Sequence, residues 1–245
     1  MSKRSVKGTY SRFVDLLKLT PAVKDPLHTA VGGQFEAFGV VEREMLRFYG
    51  LGPDQFLVDV GCGSGRLAIP LAQDHRGGYL GTDVVEELLV YARQRCGRPD
   101  WRFEAVDKLA IPAADGSADM VCFFSVFTHL LHEHSYVYLE EAKRVLKPGG
   151  RIVFSFIEYV NPEHQAIFDL TLQDAGHLDL HPLNIFMDRD AIRYWASRLE
   201  MGIVEIRDGT DLFVPLPEPV VLDDGGVLEG LGRLGQSICV LEKRA

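Results

Sequence analysis

Three glycines separated by single residues, Gly61, Gly63 and Gly65, follow directly on a short apolar run at residues 56–60. Glycine tolerates positive φ and lets a ligand approach the backbone closely. A helix starting where the glycines end would add free N–H groups and a partial positive charge. Strand, glycine loop and helix together make a nucleotide cradle. The spacing is G-x-G-x-G; a dinucleotide fingerprint, G-x-G-x-x-G, would need its third glycine at Arg66. Acidic residues recur where successive apolar runs end: Asp59 in the first, Asp83 after 79–82, Asp107 after 102–106. In an open α/β sheet, ligands bind outside the carboxyl ends of the strands. Asp83 lies about 20 residues past the glycine loop, where a carboxylate accepts hydrogen bonds from ribose hydroxyls.

Histidine is the second source of chemistry. His129, His132 and His134 cluster just past the fourth apolar run. Imidazole is a common metal ligand, but only Glu133 shares the run as a further ligand type, so no metal site is expected. Imidazole also changes charge near neutral pH, which suits a general base or a group that orients a substrate proton. His129 is the candidate for that role, with Tyr136, His177 or His181 as substitutes. The plainer reading is a histidine at a helix start, bonded to backbone.

These groups need a frame. Phe13, Leu16 and Leu17 have helical spacing in residues 9–19, and Phe38, Val41, Met45 and Phe48 have it in 34–49. Residues 22–33 read as a loop. From residue 56 onward, strands alternate with helices, which argues for a parallel sheet covered on both faces. The expected strands are 56–60, 79–82, 102–106, 119–124, 151–156, 203–206 and 236–242. Expected helices are 64–74, kinked at Pro70, one containing Val85, Leu88, Leu89 and Ala92, then 133–146, one from Asn161 to Gly176, and one capped by Asp188. Residues 210–224 are proline-rich and extended. No convincing crossover helix separates the last two strands, so the last should run antiparallel. The expected fold is α/β: a doubly wound, mostly parallel seven-stranded sheet, a helical N-terminal segment (1–50) over a main domain (51–245), and an insertion at about 157–187.

The chain has 245 residues, 47% of them hydrophobic, and a net charge of −9. That balance is a poor match for gripping a phosphate backbone, which needs clustered Lys and Arg. Four scattered cysteines show no C-x-x-C pattern and read as free thiols of a reducing compartment. The longest apolar run, 120–127, is far too short to span a bilayer. A cytoplasmic protein without a nucleic-acid partner is expected.

The stretches 57–66, 81–83, 106–107, 117–130 and 144–151 together resemble the motifs of the class I S-adenosylmethionine-dependent methyltransferases. The resemblance covers about residues 34–157 and implies S-adenosylmethionine as cofactor. By position, Gly61, Cys62, Gly63 and Gly65 would line its methionine and ribose portion, and Asp59 would help hold the amino group. Asp83, with Val84 beside it, would take the ribose hydroxyls, and Asp107 the adenine amine. Phe124 and Ser125 would lie beneath the sulfonium, and residues 1–50 would act as a lid. The Pro-Pro motif of amide-nitrogen methylation, the paired glutamates of arginine methylation and the metal set of catechol-type enzymes are missing. The expected reaction is methyl transfer to a small molecule, at a hydroxyl of a metabolite or of a sugar or glycolipid precursor. Methylation at nitrogen or carbon, a cofactor-binding protein without turnover, and another transfer from a sulfonium are the alternatives.

Overall fold

The computed structural model describes residues 6–21, 23–173 and 182–244. Its frame is a seven-stranded sheet: β1 (Leu57–Val60), β2 (Tyr79–Asp83), β3 (Arg102–Ala105), β4 (Ala118–Phe123), β5 (Leu146–Phe156), β6 (Met201–Arg207) and β7 (Ser237–Lys243). The spatial order is β3-β2-β1-β4-β5-β7-β6. β1 to β5 pair in parallel, and β7 runs antiparallel between β5 and β6. The strand order reverses at β1 and β4, and at such a switch point the loops diverge to leave a crevice.

Alternation along the central strands divides the core. Leu57, Tyr79, Met120 and Val153 face α3 (Phe35–Phe48) and α5 (Glu86–Cys96). Val58, Leu80, Val121 and Ile152 face α6 (His132–Val145) and α8 (Arg189–Arg198). Asp59 falls on the first of these faces, a slot where a fully buried strand ordinarily places an apolar residue.

The alternating layout and the antiparallel last strand are as expected, and the differences are local. The helix expected over 64–74 shrinks to one turn, α4 (Ala68–Leu71), flanked by turns. β5 begins at Leu146, five residues early, because Leu146 pairs with Ala118 before a bulge carries 147–150 out of register. The expected loop 22–33 contains a turn of helix, α2 (Pro26–Thr29), capped by the Asp25 carboxylate. α1 (Val6–Leu19) precedes it, and α7 (Pro162–Gln173) follows β5. Residues 214–215 pair with 231–232, and 220–221 with 227–228, within the proline-rich stretch. His177 and His181 lie outside the described residues.

Pro70 shapes the packing beneath the glycine loop. Lacking an N–H, it cannot bond the Arg66 carbonyl four residues back. α3 crosses at that carbonyl, and Gly39 makes the crossing possible: a Cβ there would lie 2.2 Å from the Arg66 oxygen. Helix propensity alone predicts that Gly39→Ala stabilises by about 1 kcal/mol. The packing predicts the reverse, a loss of about 1–3 kcal/mol from overpacking against backbone. A urea midpoint lower than the parent's is expected, and a higher midpoint would contradict the close crossing.

Candidate active site

A cavity of about 560 Å³ opens at the carboxyl ends of β1, β2 and β4. Asp59, Gly61, Cys62, Gly63, Asp83, Val84, Phe124, Ser125 and His129, all singled out in the sequence, line it together. Gly61 and Gly63 take positive φ, and a Cβ would meet Val126 at 2.5 Å or Val31 at 2.3 Å. Gly65 also has positive φ but faces away from the cavity: a Cβ there would lie 3.0 Å from that of Ala92 on α5. Its role is to let loop and helix pack closely. Asp107 departs from expectation too. β3 ends at Ala105, and the cavity is lined by Val106, while Asp107 is exposed. Adjacent residues of an extended chain point to opposite sides, so Val106 inward puts Asp107 outward.

One end of the cavity is charged. Arg66 and Glu42 of α3 form a buried ion pair, with Nη2 donating to Glu42 at 2.5 Å, and Arg66 Nη1 donates to the Val31 carbonyl at 2.7 Å. Burial raises the Glu42 pKa, and the guanidinium opposes that rise. Asp59 accepts from the Tyr79 hydroxyl at 2.7 Å and from the Cys122 thiol at 3.5 Å. Burial pushes its pKa up to about 7, with the Glu42 charge adding to the shift and the Tyr79 bond opposing it. Asp83 accepts backbone N–H bonds from Gly63 at 3.0 Å and Val85 at 2.9 Å, tying the glycine loop to the start of α5. Burial raises it to about 6 despite these bonds. Glu42 and Arg66 were not foreseen as a pair; the one signal was an arginine where a glycine motif would place its last glycine.

The residues before β1 build one wall. Tyr10 and Phe13 of α1, residues 29–33 and Glu42 all line the cavity. The Ser64 hydroxyl donates to the Leu27 carbonyl at 2.8 Å, and His28 Nε2 lies 2.8 Å from the Tyr91 hydroxyl.

The opposite end holds His129, on a short 3₁₀ turn after β4. Its Nδ1 lies 2.6 Å from the Leu183 carbonyl. A carbonyl only accepts, so Nδ1 carries the proton and a neutral ring keeps its lone pair on Nε2. Burial lowers the His129 pKa, which keeps the ring neutral at pH 7. Tyr10 meets it edge-on at 5.4 Å. Ser125 has φ 58°, a left-handed conformation unusual for a non-glycine residue. A ring of bonds holds it: its N–H donates to Ser155 Oγ (2.7 Å), Ser155 Oγ donates to Gln236 Oε1 (2.7 Å), and Gln236 Nε2 donates to Ser125 Oγ (3.1 Å). The other histidines stay apart. His132 Nε2 donates to the Phe186 carbonyl at 3.0 Å, and Tyr136 accepts from Arg198 at 3.1 Å. No group of residues able to hold a metal ion occurs among the described residues.

Residues 58–154 match the methyltransferase domain family. With the glycine cradle, the strand-end acids and the sheet order, that match decides the family. Residues 58–154 carry a methyltransferase domain, and the fold around it is that of the class I S-adenosylmethionine-dependent methyltransferases. It is 31% identical over 109 residues to a ribosomal RNA-processing protein 8 of Caenorhabditis briggsae, covering 44% of this chain and 28% of that protein. It is also 31% identical over 168 residues to a demethylmenaquinone methyltransferase of Beutenbergia cavernae, covering 64% and 66%. The chain thus spans about a third of the length of the RNA-processing relatives, 28% and 37% in two Caenorhabditis species. Among solved structures it resembles the magnesium protoporphyrin IX methyltransferase of Synechocystis with bound S-adenosylhomocysteine (TM-score 0.59, 18% identity, 96% and 94% of the two chains).

The cavity fits S-adenosylmethionine, the cofactor that the family resemblance implies. Arg66 opposite Glu42 and Asp59 offers both signs of charge to a zwitterionic amino-acid group. The Thr82 hydroxyl, on a residue lining the cavity, is buried and has no hydrogen-bond partner among the described residues. Such a group costs free energy until something bonds it. Leu88, Val106, Leu130 and Tyr138 supply apolar surface suited to a purine.

Removing one member of a buried ion pair strands the other, at about 3–5 kcal/mol. Arg66→Met and Glu42→Gln should each lower the unfolding midpoint, Arg66→Met the more. The double variant should recover most of the loss. Additive losses in this double-mutant cycle would show that the two charges are not coupled.

Proposed function

We propose that this chain transfers a methyl group from S-adenosylmethionine to a hydroxyl of a small molecule, with His129 taking the proton. The observation that carries this reading is a buried, neutral imidazole whose Nε2 has no partner among the described residues, in the same cavity as a glycine cradle and strand-end acids. When bound, the cofactor supplies an electrophilic methyl on a sulfonium. The chain does the rest by positioning. Asp83 accepts from ribose hydroxyls, the Gly61–Gly63 backbone bends around the ligand, and Glu42, Asp59 and Arg66 receive the amino-acid end. Phe124 and Ser125 form the floor beside the transferring methyl. Residues 6–33 act as the lid, fastened through the Arg66–Val31 and Ser64–Leu27 bonds. Proximity and orientation of this kind supply about 7–11 kcal/mol of a barrier.

Similarity to RNA-processing proteins raises RNA as a second acceptor class. The net charge of −9 and the largely apolar cavity favour the small molecule. Binding of a structured RNA that weakens steeply with salt would favour the RNA.

Calorimetry tests the reading. S-adenosylhomocysteine should bind, and NAD should not; the reverse would overturn it. Affinity should also depend on pH. Asp83 and Asp59 titrate at about 6 and about 7 without ligand. A ligand that donates hydrogen bonds or an ammonium to them favours their ionised forms and depresses both values. Affinity is therefore full above pH 8 and falls as pH drops through 7 and 6, by at most about tenfold per unit for each group. A flat profile from pH 8 to 5 would remove both carboxylates from the site.

His129 should act on turnover and leave cofactor binding alone. His129→Asn is expected to cut kcat by at least ~10²-fold with an unchanged dissociation constant for S-adenosylhomocysteine. The acid limb of the parent's kcat profile should fall below the ordinary histidine value of about 6.5, since burial lowers this ring's pKa. Full activity in His129→Asn would leave positioning as the whole catalytic account.

A further inference from the structure

The acceptor end of the cavity differs sharply from the cofactor end. Its lining is Phe13 from α1, Ile157 at the end of β5, Ile167 and Leu170 from α7, Pro182 and Leu234. The acidic and basic side chains that line the cavity, Glu42, Asp59, Arg66 and Asp83, belong to the cofactor end. Among the described residues, His129 and Tyr10 are the titratable side chains beside the acceptor space, and both are uncharged near neutral pH: burial lowers His129 and raises Tyr10. Two of the remaining polar side chains already hold protein partners. Gln236 is committed to Ser125 and Ser155, and Asn184 Nδ2 donates to Thr171 at 2.9 Å.

From this we infer that the acceptor is an uncharged, largely apolar molecule bearing a phenol-type hydroxyl, seated between Phe13 and α7 with that hydroxyl at His129. The inference rests on the methyltransferase reading and narrows its substrate class. A charged acceptor would be desolvated with no counter-charge among the described residues to meet it. A sugar would set several hydroxyls against a mainly apolar wall, leaving most of them unsatisfied. The base selects the kind of hydroxyl. Behind the His129 ring stands a neutral carbonyl, with no carboxylate among the described residues to stabilise an imidazolium, and burial further weakens the base. A phenolic proton, with a pKa of about 10, is within reach of such a base; an alkyl alcohol holds its proton far more tightly. The oxygen forms its bond to the methyl carbon while the carbon–sulfur bond breaks. The electron pair stays on sulfur, and the proton passes to Nε2.

The path outward has the same character. Leu170 lines the cavity yet is 59% exposed, which puts it at the mouth. Beyond it α7 exposes Phe168 and Leu172, and Tyr159 stacks on Phe186 at 4.7 Å beside them. An apolar substituent on the ring would run out over this surface.

Binding to the chain saturated with S-adenosylhomocysteine tests the inference without turnover. The probes are 4-alkylphenols of increasing chain length, the 4-alkylbenzoate of matched length, and methyl glucoside. Each added methylene should tighten the alkylphenol up to about fourfold until the chain passes the mouth. The benzoate should bind at least ~10-fold more weakly and the glucoside not at all. Leu170→Asp should weaken the alkylphenol at least ~10-fold while the affinity for S-adenosylhomocysteine, measured separately, stays unchanged. Affinity independent of chain length, or benzoate or glucoside bound as well as the phenol, overturns the acceptor class. Failure of S-adenosylhomocysteine to bind is a different result, which removes the methyltransferase reading and this inference with it.

Discussion

Three charged side chains are held almost entirely out of water at one end of the cavity, and much of the chain is arranged to make that tolerable. Glu42, Asp59 and Arg66 are 1%, 3% and 9% exposed. A buried charge without partners costs several kcal/mol, so each must be matched. Arg66 reaches Glu42 and the Val31 carbonyl, and Asp59 takes the Tyr79 hydroxyl and the Cys122 thiol. The partners come from α3, from the chain before it, and from β2 and β4. The charge cluster therefore joins the residues preceding the first strand to the centre of the sheet. Gly39 and Pro70 belong to the same constraint, since α3 can deliver Glu42 only by crossing at the Arg66 carbonyl. The helix turn after the glycines is short because that crossing needs a carbonyl with no N–H aimed at it.

The cavity divides its chemistry by polarity. Charges and backbone N–H groups gather where a zwitterionic, hydroxylated cofactor would lie, and hydrocarbon gathers where the acceptor would lie. The low-dielectric setting strengthens every charge contact at the first end. At the second it disfavours the charged imidazolium, so the His129 ring stays neutral. The same burial that raises Asp59 and Asp83 lowers His129, because desolvation always penalises the charged form. One cause thus sets two opposite shifts, each of which suits its end of the site.

Local signals carried most of the fold. Apolar runs ending in acids marked β1 to β3, and the glycine spacing marked the loop that bends over the cavity. What was illegible depends on contacts between distant residues or on the last residue of a strand. Asp107 looked equivalent to Asp83, but β3 stops one residue before Val106, and a single-residue shift in an extended chain reverses the side a carboxylate points to. Gly65 looked like its two neighbours, yet its missing Cβ makes room for Ala92. Arg66 and Glu42 lie 24 residues apart on different elements, so nothing local joins them. The Leu183 carbonyl that fixes the His129 tautomer is 54 residues away on an irregular segment.

The acceptor wall has its own anchor. Glu158, 2% exposed at the end of β5, accepts two bonds from Arg189 of α8, at 2.7 and 2.5 Å, and one from the Ser237 hydroxyl of β7 at 2.5 Å. Its backbone N–H donates to His164 Nδ1 at 3.0 Å, and His164 Nε2 donates to the Gly235 carbonyl at 2.8 Å. The first bond uses Nδ1 as an acceptor and the second uses Nε2 as a donor. The Asn161 side chain caps the first turn of α7 from the same cluster, accepting from the Glu163 N–H at 2.9 Å. The network ties the start of α7 to β5, β7 and α8 without contacting the charge cluster at the other end. Ile167 and Leu170 are thereby held one and two turns along α7 from a rigid base, independently of the residues before β1. The two ends of the cavity thus rest on separate anchors.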